Sequence, residues 1–184
     1  MNSDDDISPI VRAEFGRPSS PLVLAFLRLI WKAYFGATPV SFVASVRLQQ
    51  WARSRGNRGL AAWWRKRIES RFACFIHPKA RIGVGLQTPH PVGIVVGAGC
   101  VLGRNVTLYQ NVTLGTNSHS SYLAGKNEYP NVESNCTLYA GAVVIGAVKV
   151  GIGAVVGANA VVNRDVPANS VAVGVPAVIR VKQL

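Results

Sequence analysis

The stretch Val132–Val162, VESNCTLYAGAVVIGAVKVGIGAVVGANAVV, repeats itself every six residues. Val132, Leu138, Val144, Val150, Val156 and Val162 are aliphatic, and a small or apolar residue follows four positions on: Cys136, Ala142, Val148, Ala154, Ala160 and then Val166. A period of six fits neither an α-helix nor an alternating strand. It fits a parallel β-helix in which six residues make one short flat side and a turn. The aliphatic residue points inward, the small residue sits beside it, and Gly, Asn or Asp takes the corner.

The same rhythm extends back to Ile76. It runs through Ile76, Ile82 and Thr88, slips by two residues, and continues at Val96, Leu102, Leu108 and Leu114. The accompanying inward row reads Ala80, Leu86, Val92, Cys100, Val106 and Val112. No single coil can bury its own apolar row, so the core is a column held by nearest-neighbour stacking. Each buried Val, Ile or Leu contributes about 1.5–3 kcal/mol before entropy is subtracted.

The period divides the chain. Residues 1–20 are acidic and polar with Pro9 and Pro18, and read as disordered. Residues 21–73 read as helical, with segments at 21–36, 41–55 and 60–72 separated by Pro39 and by Gly56-Asn57-Arg58-Gly59. They would cap the open end of the solenoid. Residues 74–184 form the β-helix, interrupted by a polar loop at 116–130 that the coil expels. Long loops on rigid scaffolds carry function.

The net charge is +12; residues 1–75 hold 12 basic and 5 acidic residues, the remainder 8 and 3. The densest cluster is Arg47, Arg53, Arg55, Arg58, Arg65, Lys66, Arg67 and Arg71, read as a solvated helix face that favours anionic partners. No nucleic-acid recognition motif accompanies it, so nucleic acid is not expected as a partner. Cys100 and Cys136 fall on inward rows, and no CxxC spacing suggests a metal or a disulfide framework. Residues 1–6 lack signal-peptide features, and a cytoplasmic location is expected. The apolar segment 21–36, with Arg28 and Lys32, is too short and charged to span a membrane; it reads first as a helix packed on the solenoid or on another subunit, and also permits peripheral contact at the inner membrane face.

Several segments resemble the hexapeptide-repeat acyltransferases, above all serine O-acetyltransferases and their relatives in exopolysaccharide biosynthesis. They are Ile76-His77-Pro78-Lys79-Ala80-Arg81-Ile82-Gly83, His90-Pro91-Val92-Gly93-Ile94-Val95-Val96-Gly97, Gln110-Asn111-Val112-Thr113-Leu114-Gly115, Gly157-Ala158-Asn159-Ala160-Val161-Val162, Asp165-Val166-Pro167 and Val173-Gly174-Val175-Pro176-Ala177. The resemblance implies a mainly-β fold, a left-handed parallel β-helix with an N-terminal α-helical cap. It also implies a homotrimer and acetyl-CoA as co-substrate, with no metal. His90 matches the family's catalytic histidine and suits a general base, since imidazole titrates near neutrality. Gly115, Ala140, Gly141 and Ala158 match small positions along the cofactor, and Arg164 and Lys182 are candidates for its phosphates. His77, in Ile-His-Pro, reads as a structural turn residue.

The departures shape the expected acceptor. The serine acetyltransferases of the family carry an aspartate that orients the imidazole, where this chain has Phe75. They carry Arg-His-Pro at the end of the loop to hold a carboxylate, where this chain has Glu128-Tyr129-Pro130. A lost cation and a gained anion oppose free serine. The primary expectation is therefore an acetyl-CoA-dependent O-acetyltransferase acting on a sugar or glycan hydroxyl, with Asn111, His119, Glu128 and Tyr129 contacting the acceptor. The alternatives are serine acetylation in cysteine biosynthesis and a non-catalytic scaffold. A zinc carbonic anhydrase on the same solenoid would need three convergent histidines, and the chain has 3 in all without that spacing.

Overall fold

A computed structural model describes residues 7–16, 21–116 and 128–181. Four helices precede the coil: α1 (Ser8–Phe15), α2 (Leu22–Phe35), α3 (Thr38–Ser54) and α4 (Arg58–Phe72). The coil then winds through three flat faces. The first stacks β1 (Phe75–Ile76), β3 (Val95–Val96), β6 (Thr113–Gly115), β9 (Val143–Ile145) and β12 (Val161–Val162). The second stacks β2 (Arg81–Ile82), β4 (Val101–Leu102), β7 (Asn131–Val132) and β10 (Lys149–Val150). The third stacks β5 (Thr107–Leu108), β8 (Thr137–Leu138), β11 (Val155–Val156) and β13 (Ser170–Val173), closed by the antiparallel β14 (Val178–Val181). All other strand pairs are parallel and in register, as Val96 against Leu114 against Val144.

The expected inward rows are buried with one exception. Val92 is 54% exposed, and Ile94 is fully buried in its place. The two-residue slip lies ahead of Val92 rather than after it, so the inward row shifts to Ile94. Corners are held by left-handed backbone: Asn105, Asn135 and Asn169 stack with Gly85 and Gly153 at one edge, and Asn111 and Asn159 with Gly93 and Gly141 at another. A side chain at Gly93 would run into the Asn111 amide, so glycine is required there for space as well as for φ.

Three helical expectations change. Residues 8–15, read as disordered, form α1, which buries Val11 and Phe15 against α2 and α3. Pro39 does not stop a helix; it lies in the first turn of α3, where its missing N–H costs nothing. Arg47, read as part of a solvated face, is fully buried. Its guanidinium donates to Glu14 at 2.7 and 2.9 Å, to Gln50 Oε1 at 2.9 Å, and to the carbonyls of Ile82 and Gly83 at 2.8 and 2.6 Å. Gln49 and Gln50 donate to the carbonyls of Ile76 and Ala80 at 3.0 and 3.2 Å. The first coil has no coil beneath it, and these side chains of α3 satisfy its otherwise orphaned acceptors.

The 3 cysteines are buried thiols outside any disulfide. Burial pushes the Cys100 thiol from 9.0 up to about 12 and also raises Cys74. The folded chain keeps protons that the unfolded chain loses, so this contribution is complete below pH 9 and disappears as pH climbs from 9 toward 12. The expected loss for Cys100 approaches ~1.4 kcal/mol per pH unit in that window. Denaturant titrations at pH 8 and pH 10.5 check it, and Cys100→Ala should flatten the difference.

Candidate active site

The slip that displaces Val92 also builds the candidate site. Gln87 bridges to Thr107, while the Asn111 N–H donates to the Val92 carbonyl. Residues 88 to 92 therefore occupy the stretch that residues 108 to 110 cover in the next coil. The extra length bulges outward, with the Val92 N–H bonded to the His90 carbonyl at 2.9 Å. His90 stands on this bulge, exposed. Among the described residues no side chain hydrogen-bonds its imidazole. By register the bulge lies over Tyr109, whose ring stacks on Tyr139 one coil further on, with centroids 5.1 Å apart. Tyr139 was not foreseen; its match in register with Tyr109 was the available signal.

A groove of about 460 Å³ adjoins the bulge. Thr88 and Pro89 line it from the coil, and Lys32, Val40 and Glu14 from the helices. Thr88 is the one polar member of its inward row, and its hydroxyl is buried without a hydrogen-bond partner among the described residues.

The other site residues divide by role. Ala140, Gly141 and Ala158 stack at the corner that enters the first face, and Gly115 ends β6 on that face. Among the described residues no atom lies within 4 Å of the place where a Cβ on Gly115 would stand. Arg164 follows β12 and donates to the Ala177 carbonyl at 2.9 Å, which ties the last coil to its closure. Asn111 is a left-handed corner residue packed on Gly93, and this alone accounts for an asparagine. Tyr129 packs its ring against Gly97 and the core, and Glu128 is half-buried beside it. His119 and Lys182 lie outside the described residues.

Phe75 and His77 stand in the first coil, and Phe75 meets the helical cap through Arg65. The Phe75 ring lies 6.3 Å from the His77 ring and 6.0 Å from the Arg65 guanidinium. His77 Nδ1 accepts the Lys79 N–H at 3.1 Å. Burial, then Lys79, Arg53 and Arg65, hold its pKa below 6.5. A neutral His77 is favoured in the fold, so its contribution to stability is present above pH 6.5 and is lost as pH falls through the lower folded value. Ring NMR should show His77 titrating below 6.5; a value above it would remove the Lys79 hydrogen bond from the account.

A parallel solenoid of stacked hexads with an outward histidine at a bulge defines a hexapeptide-repeat protein of the left-handed β-helix class. No family model matches the chain. Its relatives are serine acetyltransferases. The enzyme of that name from Buchnera aphidicola subsp. Schizaphis graminum is 39% identical over 120 residues, 65% of this chain and 45% of the relative. A serine acetyltransferase solved in complex with CoA superposes with a TM-score of 0.71 at 27% identity, covering 98% of this chain and 86% of the other. The soybean enzyme complexed with serine gives 0.71 at 28% identity, covering 98% and 85%. The chain spans less than half the length of the curated relatives it matches. Among the described residues no group of three His, Cys, Asp or Glu is placed to hold a metal, and no helix is long and apolar enough to cross a membrane.

Proposed function

We propose that this chain is an acetyl-CoA-dependent O-acetyltransferase of the serine acetyltransferase type, working as a trimer, with His90 as the general base. The observation that carries the reading is the bulge itself: a structural break whose one exposed titratable side chain is an imidazole, beside an open groove. The small outer positions Gly115, Ala140 and Ala158 fit a slender pantetheine arm lying against backbone. When bound, acetyl-CoA supplies an activated acetyl thioester. His90 takes the proton of the acceptor hydroxyl as its oxygen forms the new C–O bond, and returns it to the thiolate as the C–S bond breaks. Backbone N–H groups facing the carbonyl oxygen would hold its developing charge.

The relatives make serine the better-supported acceptor, ahead of the sugar hydroxyl anticipated from Phe75 and Glu128. Lys32 lines the groove and can receive a carboxylate that Glu128 would repel. A sugar hydroxyl is the second reading, favoured by Glu128 and by the stacked Tyr109–Tyr139 pair, whose faces suit a pyranose. Competition between serine and a hexose panel, with products weighed by mass spectrometry, separates the two. O-acetylserine as the main product, with KM for serine raised by Lys32→Gln, supports the first. Acetylated hexose without O-acetylserine overturns it.

A further inference from the structure

We propose that the α3–α4 turn and the first coil corner together form a binding site for a small phosphorylated molecule, separate from the acetyl-transfer site. Arg53, Arg58, Arg65, His77 and Lys79 line one concavity of about 500 Å³. An adjoining one of about 570 Å³ shares Arg53, Arg58 and Lys79 and adds Arg81. These volumes suit a small ligand. None of the candidate active-site residues lines either concavity.

Among the described residues the charge there is uncompensated. Among the described residues no carboxylate lines either concavity, and Arg53, Arg58 and Lys79 have no acidic partner. Arg65 has only Glu69, at 3.6 Å on a half-exposed pair, and its Nε is buried without a hydrogen bond. The first turn of α4 contributes its N-terminal dipole and holds no acidic residue to oppose an anion. The field is already felt by His77, whose pKa Lys79, Arg53 and Arg65 depress in addition to burial. Four cations converging without counter-charge among the described residues are costly to keep together, and a phosphate offers each of them a charge-assisted hydrogen bond.

The test does not depend on acetyl transfer. Pyrophosphate is titrated calorimetrically into the whole chain at low salt, beside vesicles of phosphatidylglycerol, with wild type and Arg53→Gln/Lys79→Gln. The expected result is saturable pyrophosphate binding, weakened at least about tenfold in the double variant, with His77 titrating at higher pH once pyrophosphate is bound. No saturable binding, binding that the double variant leaves unchanged, or binding to vesicles alone overturns the proposal. All three substituted or substitutable cations on the turn are exposed; should the double variant lose its melting transition, Arg58→Gln serves in its place.

Discussion

Replacing His90 with alanine is expected to lower kcat for acetyl transfer by about 10²–10⁴-fold, the range removed with a general base. The side chain is exposed on a bulge and bonds no other described side chain, so the melting temperature should stay where it is. CoA binding should also survive, because the small positions that fit the cofactor lie at other coils. That split, chemistry lost with fold and CoA affinity retained, is what distinguishes a base from a packing residue. His90→Gln, which keeps the size and loses the basicity, should be about as inactive. If either variant retains wild-type turnover, the proton leaves by another route and the assignment fails.

Arg47→Ala is expected to be the most damaging single change to stability. The side chain is fully buried and donates to two backbone carbonyls of the first coil, to Gln50 and to Glu14. Truncation strands these acceptors and leaves the Glu14 carboxylate, itself nearly buried, with only the Gly85 N–H among the described residues. Losing one partner of such a pair costs about 3–5 kcal/mol, which for a chain of this size lowers Tm by roughly 10 °C. Arg47→Lys keeps the charge but cannot reach all of these acceptors from one nitrogen, so its loss should fall between. Equal melting of Arg47→Ala and an exposed control such as Arg55→Ala would show that the cap is held by apolar packing alone.

How far the sequence carried follows from these residues. The hexad rows were legible because one rule, one inward aliphatic per flat side, governs nearly every coil. Val92 failed because its place was counted four on from Thr88 across the slip, and the ladder shows that the extra residues precede it. Arg47 and Arg53 belong to one basic run, yet one is sealed inside and the other is exposed. Which face of α3 meets the coil is a tertiary fact, and composition does not carry it. Residues 8–15 looked unstructured because Val11 and Phe15 are stabilised only by α2 and α3, not by any local pattern. At the site, His90 was legible from its motif context. The Tyr139 ring and the Lys32 groove were not, since they arise from register between coils and from helix docking.

The measurement that bears most directly on the central claim is thiol release from acetyl-CoA with serine as acceptor, by wild type and His90→Ala side by side. The account predicts serine-dependent CoA release by wild type, with O-acetylserine formed in equal amount, and its near-complete loss in His90→Ala. Undiminished release by His90→Ala, or none by wild type with serine or any hexose while CoA still binds, would contradict it.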